Sequence, residues 1–405
     1  MGSLFALYGL LSGAADDCIK SPIVYWTPNS NYCRMTYRNV TPVKIEDLAH
    51  AYVSAIDQIR KLLDELLKPI VSTKLPPLKD LIDCRNDPNN PAAFLIHPDN
   101  NFGQHQRMLF HAHVKQETFL SSSTPSRAST YKLTTWLSKV AKLINYLLFA
   151  MHLSGGQPAR APELNSLMVH DWEHQRRGLY IINDHMAMTT RYWKGRALHG
   201  KDKHVLRLLP VELGDLLLKY LVFIKPCEVM AVNELYSGQP SDIRKKATAI
   251  SHYYLFTRNG KRIGDDQVRS IFASVWSELA GYKLTFQDMR HIMQAFLMSN
   301  AHKFRTSVSS DLVPDDGSDR FDAMTEYVHN LDAAQASIYQ NGAMAEQAAH
   351  SSVVAERCYA ISNDDFNNIM SQQLLNNSKT SLLWHALLFS NIDKNKHPVK
   401  WRLTT

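Results

Sequence analysis

The chain has 405 residues, of which 45% are hydrophobic and 20% are charged. These proportions exclude wholesale disorder, and the length predicts two or three domains. The formal charge of +7 favours a polyanionic partner such as nucleic acid, although charge alone does not identify one. At the start of the chain, residues 1–11 are apolar but lack a basic region, which favours a buried helix over a signal peptide.

The first third of the sequence has the pattern of helices joined by polar loops. From Ile45 to Leu67 the apolar residues recur at helical spacing, and Pro69 marks the end of that helix. Several prolines between 76 and 98 predict a loop with short helices. The small, polar segment 121–129 is typical of a linker, so we expect a domain boundary near residue 125.

The second part of the chain is predicted to be mostly helical with one small antiparallel sheet. A long amphipathic helix is expected over 132–153, where Gly155 and Gly156 end it. Segments 178–190 and 204–209 have strand patterns and predict a β-hairpin with a long basic connection. Further helices are expected at 212–224, 265–279 and 290–298, with the basic run 244–246 in a loop between them.

Several other classes of protein are disfavoured by the sequence. The five cysteines are scattered without a Cys-x-x-Cys pair, which argues against a disulfide framework or a structural zinc site. The most apolar stretch, Leu143 to Leu153, is interrupted by Asn145 and His152, so we expect no membrane span. No glycine-rich phosphate loop is present, which disfavours a nucleotide-driven motor or a kinase.

Three separated segments carry residues suited to phosphodiester chemistry. The first places Arg160 on a tight turn that opens a helix, and the second places Arg290 at a helix start. The third contains His350 and, nine residues later, Tyr359. Transfer of a phosphodiester to a protein needs a hydroxyl nucleophile, cations around the non-bridging oxygens, and an acid for the leaving oxygen. Together these segments predict such a site.

In order and spacing, the three segments resemble the tyrosine recombinase and integrase family. Arg160 with Glu163 and Leu164 matches the family's "G-x-R-x-x-E-L" turn, and Met289-Arg290-His291 matches its "H-x-L-R-H" box. His350 and Tyr359 match the final box and the nucleophile. The resemblance covers about residues 132 to 361. More narrowly, "GGQPAR", "RYWKG" and "LP" resemble the recombinase-like region of fungal mobile-element (crypton-like) and subtelomeric helicase-linked proteins.

The resemblance implies a two-domain, C-shaped DNA clamp. A helical DNA-binding domain would occupy residues 1–125, and the catalytic domain would occupy 126–365. The tail, 366–405, contains an apolar run that would dock on another protomer or pack back on its own domain. The implied partner is double-stranded DNA, bound by a homo-oligomer that is a dimer on one site and a tetramer in synapsis. The implied location is the nucleus, and neither a cofactor nor a metal is implied.

The resemblance also implies roles for individual residues. Tyr359 would be the nucleophile, and Lys194 the general acid, with Lys201 and Lys203 as alternatives. Arg160, Arg290 and His350 would stabilise the transition state. Contacts with DNA are assigned to Arg191, Lys201, Lys203 and His291, although His291 could instead bond behind Arg290.

Three positions depart from the family pattern: Gln287 replaces a histidine, Pro158 replaces a glycine, and Ala348-Ala349 replaces Leu-Gly. Glutamine cannot act as a general base, so Gln287 would assist catalysis only through hydrogen bonding to a phosphate oxygen. Two alternative functions therefore stay open. One is a type IB topoisomerase-like enzyme that relaxes DNA, and the other is a catalytically decayed DNA-binding module of a mobile-element protein.

Overall fold

The computed structural model describes residues 24–38, 41–70, 73–83, 93–120, 129–172, 176–182, 184–190, 205–300 and 377–390. Within these residues the protein is mainly helical, with small antiparallel sheets. The predicted fold class is confirmed at this level of detail.

A three-stranded antiparallel sheet opens the described chain. Its strands are β1 (Val24–Trp26), β2 (Arg34–Tyr37) and β3 (Thr41–Lys44), in that order across the sheet. The expectation of helices in this part of the chain was wrong here, because strands of three or four residues are too short to produce a readable alternation. Helix α1 (Ile45–Leu67) follows β3 directly and has the predicted bounds.

A short helix and a long helix follow. Helix α2 (Met108–Lys115) has eight residues, whereas α3 (Thr130–Ser154) has 25 and is buried along most of its second half. Helix α1 packs along α3, and the two share one apolar core that also includes residues near the end of the described chain. Helices on the two sides of residue 125 are thus in direct contact, while the division into two domains stays a prediction.

The predicted β-hairpin is present as part of a three-stranded antiparallel sheet. After the short helix α4 (Ala161–Asn165), the strands are β4 (Leu179–Ile182), β5 (His185–Thr190) and β6 (Val205–Leu208). The register pairs Ile182 with His185 and Thr190 with Val205. The first predicted strand is therefore itself a hairpin, because its two halves pair antiparallel and only two residues of the sequence separate Ile182 from His185.

The region after the sheet is more helical than expected. Helix α5 (Val211–Lys219) continues through a π-helical turn (Tyr220–Ile224) into α6 (Lys225–Leu235), and α7 (Ser241–Tyr253) follows. The basic run 244–246 lies on α7, so its placement in a loop was wrong. Only Ala247 and Ser251 of α7 are buried, which leaves too few apolar positions to reveal the helical period.

A small hairpin and two helices complete the central region. Strands β7 (Thr257–Arg258) and β8 (Lys261–Arg262) pair antiparallel. They lead to α8 (Asp265–Ala280) and α9 (Phe286–Asn300), which contain the predicted helices 265–279 and 290–298.

The described part of the tail is a helix, α10 (377–389), that packs on its own chain. The Trp384 indole N–H donates to the Leu153 carbonyl at 2.7 Å, and His385 Nε2 lies 2.9 Å from the Ser154 carbonyl. The last carbonyls of a helix lack partners within it, so α10 satisfies two such groups at the end of α3. The described part of the tail thus contacts its own chain, while docking on another protomer stays a prediction. None of the described helices combines the length and apolar character needed to cross a bilayer.

Candidate active site

Four of the predicted site residues fall within the described part of the chain: Arg160, Gln287, Arg290 and His291. The others lie outside the described residues: Arg191, Lys194, Lys201, Lys203, His350 and Tyr359. The geometry that follows is therefore that of the arginine-bearing part of the predicted site.

The turn that carries Arg160 depends on two glycines. Gly156 has a φ of 90°, in the region that side chains disfavour. A Cβ added at Gly155 would lie 2.5 Å from the end of the Met188 side chain and 3.0 Å from the Met151 carbonyl oxygen, so the turn packs closely against strand β5 and a larger residue would force Met188 to shift. The two glycines that end α3 thereby allow the chain to reverse and to place Arg160 at the start of α4.

Glu163 is the buried anchor of this turn. Its side chain is 1% exposed, and Oε2 accepts a hydrogen bond from the Arg160 backbone N–H at 3.1 Å. The Arg160 guanidinium lies 3.9 Å from Oε1, and the Arg207 guanidinium lies 3.4 Å from Oε2. Burial raises the pKa of Glu163, and the neighbouring arginines, led by Arg207, oppose that shift.

Arg207 was not among the predicted site residues. It is fully buried on strand β6, where Nε donates to the Gln157 carbonyl and Nη1 donates to the Thr190 hydroxyl, both at 2.8 Å. Burial lowers the pKa of Arg207 to about 10, which still leaves the guanidinium charged at neutral pH. The sequence contained one signal for this residue, an arginine inside a short apolar strand. A charge in that position is buried only with a partner, so Arg207 could have been predicted to contact an acidic group.

Helix α9 brings Arg290 to the same turn. Its Nε donates to the Pro158 carbonyl at 3.3 Å, two residues before Arg160, although 132 positions separate donor and acceptor in the sequence. Burial lowers the pKa of Arg290, and the charge of Glu163 raises it. The two arginines of the predicted site are thus brought together at one turn, beside the buried carboxylate of Glu163.

The cluster has an excess of positive charge. Among the described residues, Glu163 is the only acidic group within ion-pair distance of Arg160 or Arg207, and none lies within that distance of Arg290. Three guanidiniums around one carboxylate leave a net charge of about +2. Such a cluster is suited to an anion that gains charge during reaction, because fixed cations stabilise it without reorganising.

No protein-family model matches this sequence, and no solved structure matches the fold significantly. The roles of these residues therefore depend on the motif spacing and on the geometry around Glu163.

The other two described site residues face different surroundings. Gln287 is exposed on the first turn of α9. His291 Nδ1 lies 3.0 Å from the Tyr37 hydroxyl, which itself donates to Asp288 at 3.0 Å. Because that hydroxyl has only one proton, His291 must donate from Nδ1 to the tyrosine oxygen. His291 therefore bonds to strand β2, which fits its structural alternative better than contact with DNA.

His152 is a second residue that sequence reasoning did not place near the site. It is 1% exposed, and its ring stacks on Phe286 at 4.2 Å between centroids. Neither ring nitrogen has a hydrogen-bond partner among the described residues. Burial, with help from Arg290 and Arg207, lowers the pKa of His152 well below its usual value. The ring is thus neutral and adds no further positive charge beneath the arginines.

Proposed function

We propose that this protein is a DNA strand-transferring enzyme of the tyrosine recombinase type, acting in the integration or excision of a mobile element. The observation that carries the proposal is the meeting of Arg160 and Arg290 at one turn, beside the buried pair of Glu163 and Arg207. Among the described residues, Glu163 is the only acidic group within ion-pair distance of any of these three arginines, so the cluster has an excess of positive charge. A phosphodiester carries one negative charge and its pentacoordinate transition state carries about two, so the cluster complements the transition state better than the ground state.

The Tyr359 phenol transfers its proton to solvent water, its oxygen attacks phosphorus, the bond to the 5′ oxygen breaks, and a 3′-phosphotyrosyl link forms. Arg160, Arg290 and His350 hold the non-bridging oxygens, with Gln287 as a further hydrogen-bond donor. Lys194 transfers a proton to the departing 5′ oxygen. A 5′ hydroxyl of a partner strand then attacks the phosphotyrosine, and the same groups act in reverse.

The sheet supports a general acid in the connection between β5 and β6, which contains Lys194 and its alternatives Lys201 and Lys203, the last of them two residues before Val205, the partner of Thr190. Lys194 belongs to the connection between β5 and β6, which starts after Thr190. The Thr190 hydroxyl accepts a hydrogen bond from Arg207, and Arg207 reaches Glu163. The connection therefore begins beside the arginine cluster, and Lys194 lies only four residues from that point in the sequence.

A nicked suicide substrate tests the proposal, because the broken strand diffuses away and traps the covalent intermediate. We expect a protein–DNA adduct that survives denaturation with the wild-type chain and is absent with Tyr359→Phe. The matched control is Tyr282→Phe, which removes a hydroxyl that contacts Asp47 in another part of the fold and should keep the adduct. Arg160→Gln and Arg290→Gln should each slow adduct formation by about 10²–10³-fold.

A second candidate, a DNA-binding module without cleavage, is favoured by Gln287 because this residue cannot accept the tyrosine proton. DNA binding with no adduct under any condition would support that candidate and refute the enzyme. Where an adduct does form, joining of two DNA sites identifies a recombinase. Relaxation of supercoils without joining would identify the topoisomerase-like alternative.

A further inference from the structure

The segment 241–264 holds a large share of the protein's positive charge. It contains six basic residues and one acidic residue, Asp242, and so has a net charge of +5 within a chain of net charge +7. The six cations lie on helix α7 and on the β7–β8 hairpin, and we call this surface the basic face: Arg244, Lys245, Lys246, Arg258, Lys261 and Arg262.

The tip of the hairpin packs against the helix. Asn259 and Gly260 both have positive φ, 49° and 78°, which is the turn expected for Asn-Gly between short antiparallel strands. A Cβ at Gly260 would lie 2.7 Å from the Ala247 side chain, so the hairpin tip is in close contact with α7. The Tyr236 hydroxyl also donates to the Asn259 carbonyl at 3.0 Å. These contacts place the tip of the hairpin directly against α7, so the two cation-bearing elements are neighbours.

The arginines of the basic face are oriented by neutral groups. Arg258 donates to the Asn145 amide oxygen at 3.1 Å, and Arg244 donates to the Asn233 amide oxygen at 2.9 Å. The Arg262 guanidinium lies over the Tyr254 ring, 5.3 Å from its centroid. Among the described residues, no acidic side chain is within ion-pair distance of any of the six cations. The three arginines therefore have defined positions, and no acidic side chain of the described residues compensates their charge.

Other basic residues of the described chain differ from these. Arg60 pairs with Asp57 and Glu212, Lys139 pairs with Glu65, and Arg269 pairs with Asp266. These three provide matched controls in which a cation of similar exposure already has an acidic partner.

One feature of the hairpin itself points to an anionic ligand. Arg258 and Lys261 are both exposed and stand directly opposite each other across the two strands. Like charges in that position repel and destabilise the pair. A phosphate between them would remove this repulsion. Binding of a phosphate would therefore stabilise the hairpin by about the free energy that the repulsion costs it.

The basic face also lies near the candidate active site. The segment that follows α4 pairs with the segment that precedes β7, since the Leu255 N–H donates to the Leu167 carbonyl at 3.0 Å. The Asn165 side chain, at the end of α4, donates to Asp265, which follows the hairpin. Because α4 has only five residues, about 7.5 Å of helix separates the Arg160 turn from these contacts.

We propose that the basic face binds the phosphate backbone of double-stranded DNA, beside the phosphodiester held by the arginine cluster. The inference rests on the proposed function for the identity of the ligand, but it does not depend on Tyr359 or on cleavage. Contact with phosphates would be independent of sequence and would position the duplex rather than select it.

The test measures binding of a fluorescein-labelled DNA duplex of mixed sequence to the full chain by anisotropy, at several salt concentrations. Each phosphate contact contributes about 0.9 to the slope of log affinity against log salt. The variant R258Q/K261Q/R262Q should therefore have a slope shallower by about 2 to 3. The control R60Q/K139Q/R269Q loses the same charge and should keep the slope within about 1 of the wild-type value.

Two further variants separate charge from folding. R258K/R262K keeps both charges and should keep the slope. If the triple variant fails to fold, as circular dichroism would reveal, R258Q/K261Q keeps the contact between Arg262 and Tyr254 and should lose about 2 from the slope.

The outcomes distinguish this inference from the proposed function. No binding of duplex DNA by the wild-type chain at any salt concentration overturns both. Binding with equal slopes for the triple variant and its control overturns the basic face alone. If the triple variant loses binding to phosphatidylserine vesicles but keeps the wild-type salt slope on DNA, the basic face binds a membrane surface and the inference is overturned.

Discussion

Replacing Glu163 by glutamine removes one charge from the centre of the arginine cluster and keeps the shape of the side chain. The Arg160 backbone N–H would still find an oxygen acceptor in the glutamine amide. The buried Arg207 would lose its anionic partner at 3.4 Å, and Arg160 would lose its partner at 3.9 Å. The variant therefore measures what the carboxylate contributes to folding.

The expected cost follows from the distances and the burial. Coulomb's law with an effective dielectric of about 20 gives an attraction of about 5 kcal/mol at the distance between Arg207 and Glu163. Removing one partner of a buried pair typically costs about 3–5 kcal/mol, because the other charge stays buried alone. We expect Glu163→Gln to lower the free energy of unfolding by about 3 kcal/mol. This is the lower end of that range, because Arg207 keeps two neutral hydrogen-bond acceptors.

A double-mutant cycle tests this reasoning by urea unfolding followed by circular dichroism. Arg207→Met alone leaves Arg160 as the only cation of the described residues within ion-pair distance of the carboxylate and should also destabilise the fold. The double variant E163Q/R207M removes both buried charges, so its cost should fall short of the sum of the single costs by at least about 2 kcal/mol. A cost below about 1 kcal/mol for Glu163→Gln, or additive single effects, would refute the role given to Glu163.

Two further predictions concern the helix α10. Trp384→Phe removes the indole N–H that bonds to the Leu153 carbonyl and should destabilise the protein by about 1–3 kcal/mol in thermal unfolding. The exposed control Tyr131→Phe should have no effect. An unchanged melting temperature for Trp384→Phe would mean that α10 does not cap α3. Burial lowers the pKa of His385 to about 3, so the unfolded chain binds a proton there below pH 6.5 while the folded chain does not, and stability falls with acid. Between pH 7.5 and 5 this group should cost about 2 kcal/mol, which His385→Gln should abolish; equal pH dependence of both proteins would contradict it.

Several features of the fold could be predicted because they depend on local patterns of apolar, polar and glycine residues. The apolar stripe of Ile45–Leu67 and the paired glycines after α3 mark the bounds of two long helices. The alternation before Thr190 and the apolar run at 205–208 predicted the hairpin that carries the basic connection. Each of these signals comes from residues within one element, so no knowledge of distant contacts was needed.

Other features had no such signal. Strands β1 to β3 are too short for a period, and α7 has too few buried positions. Of the site, Arg160 and Arg290 were predicted from motif spacing, whereas Arg207 and His152 were missed. These two residues belong to the site only because β6 and α3 are packed beside the turn of Arg160.

By itself the sequence determined the helices with strong amphipathic patterns, the turn at Gly155 and Gly156, and the residue types able to hold a phosphate. Tertiary structure alone decided that α10 returns to α3 over 231 positions and that Arg290 reaches Pro158 over 132. It also decided that the basic β7–β8 hairpin packs against the basic helix α7. The physical reason is that local periodicity depends on neighbours within a few residues, whereas buried charges and helix ends find their partners wherever packing of the apolar core brings them.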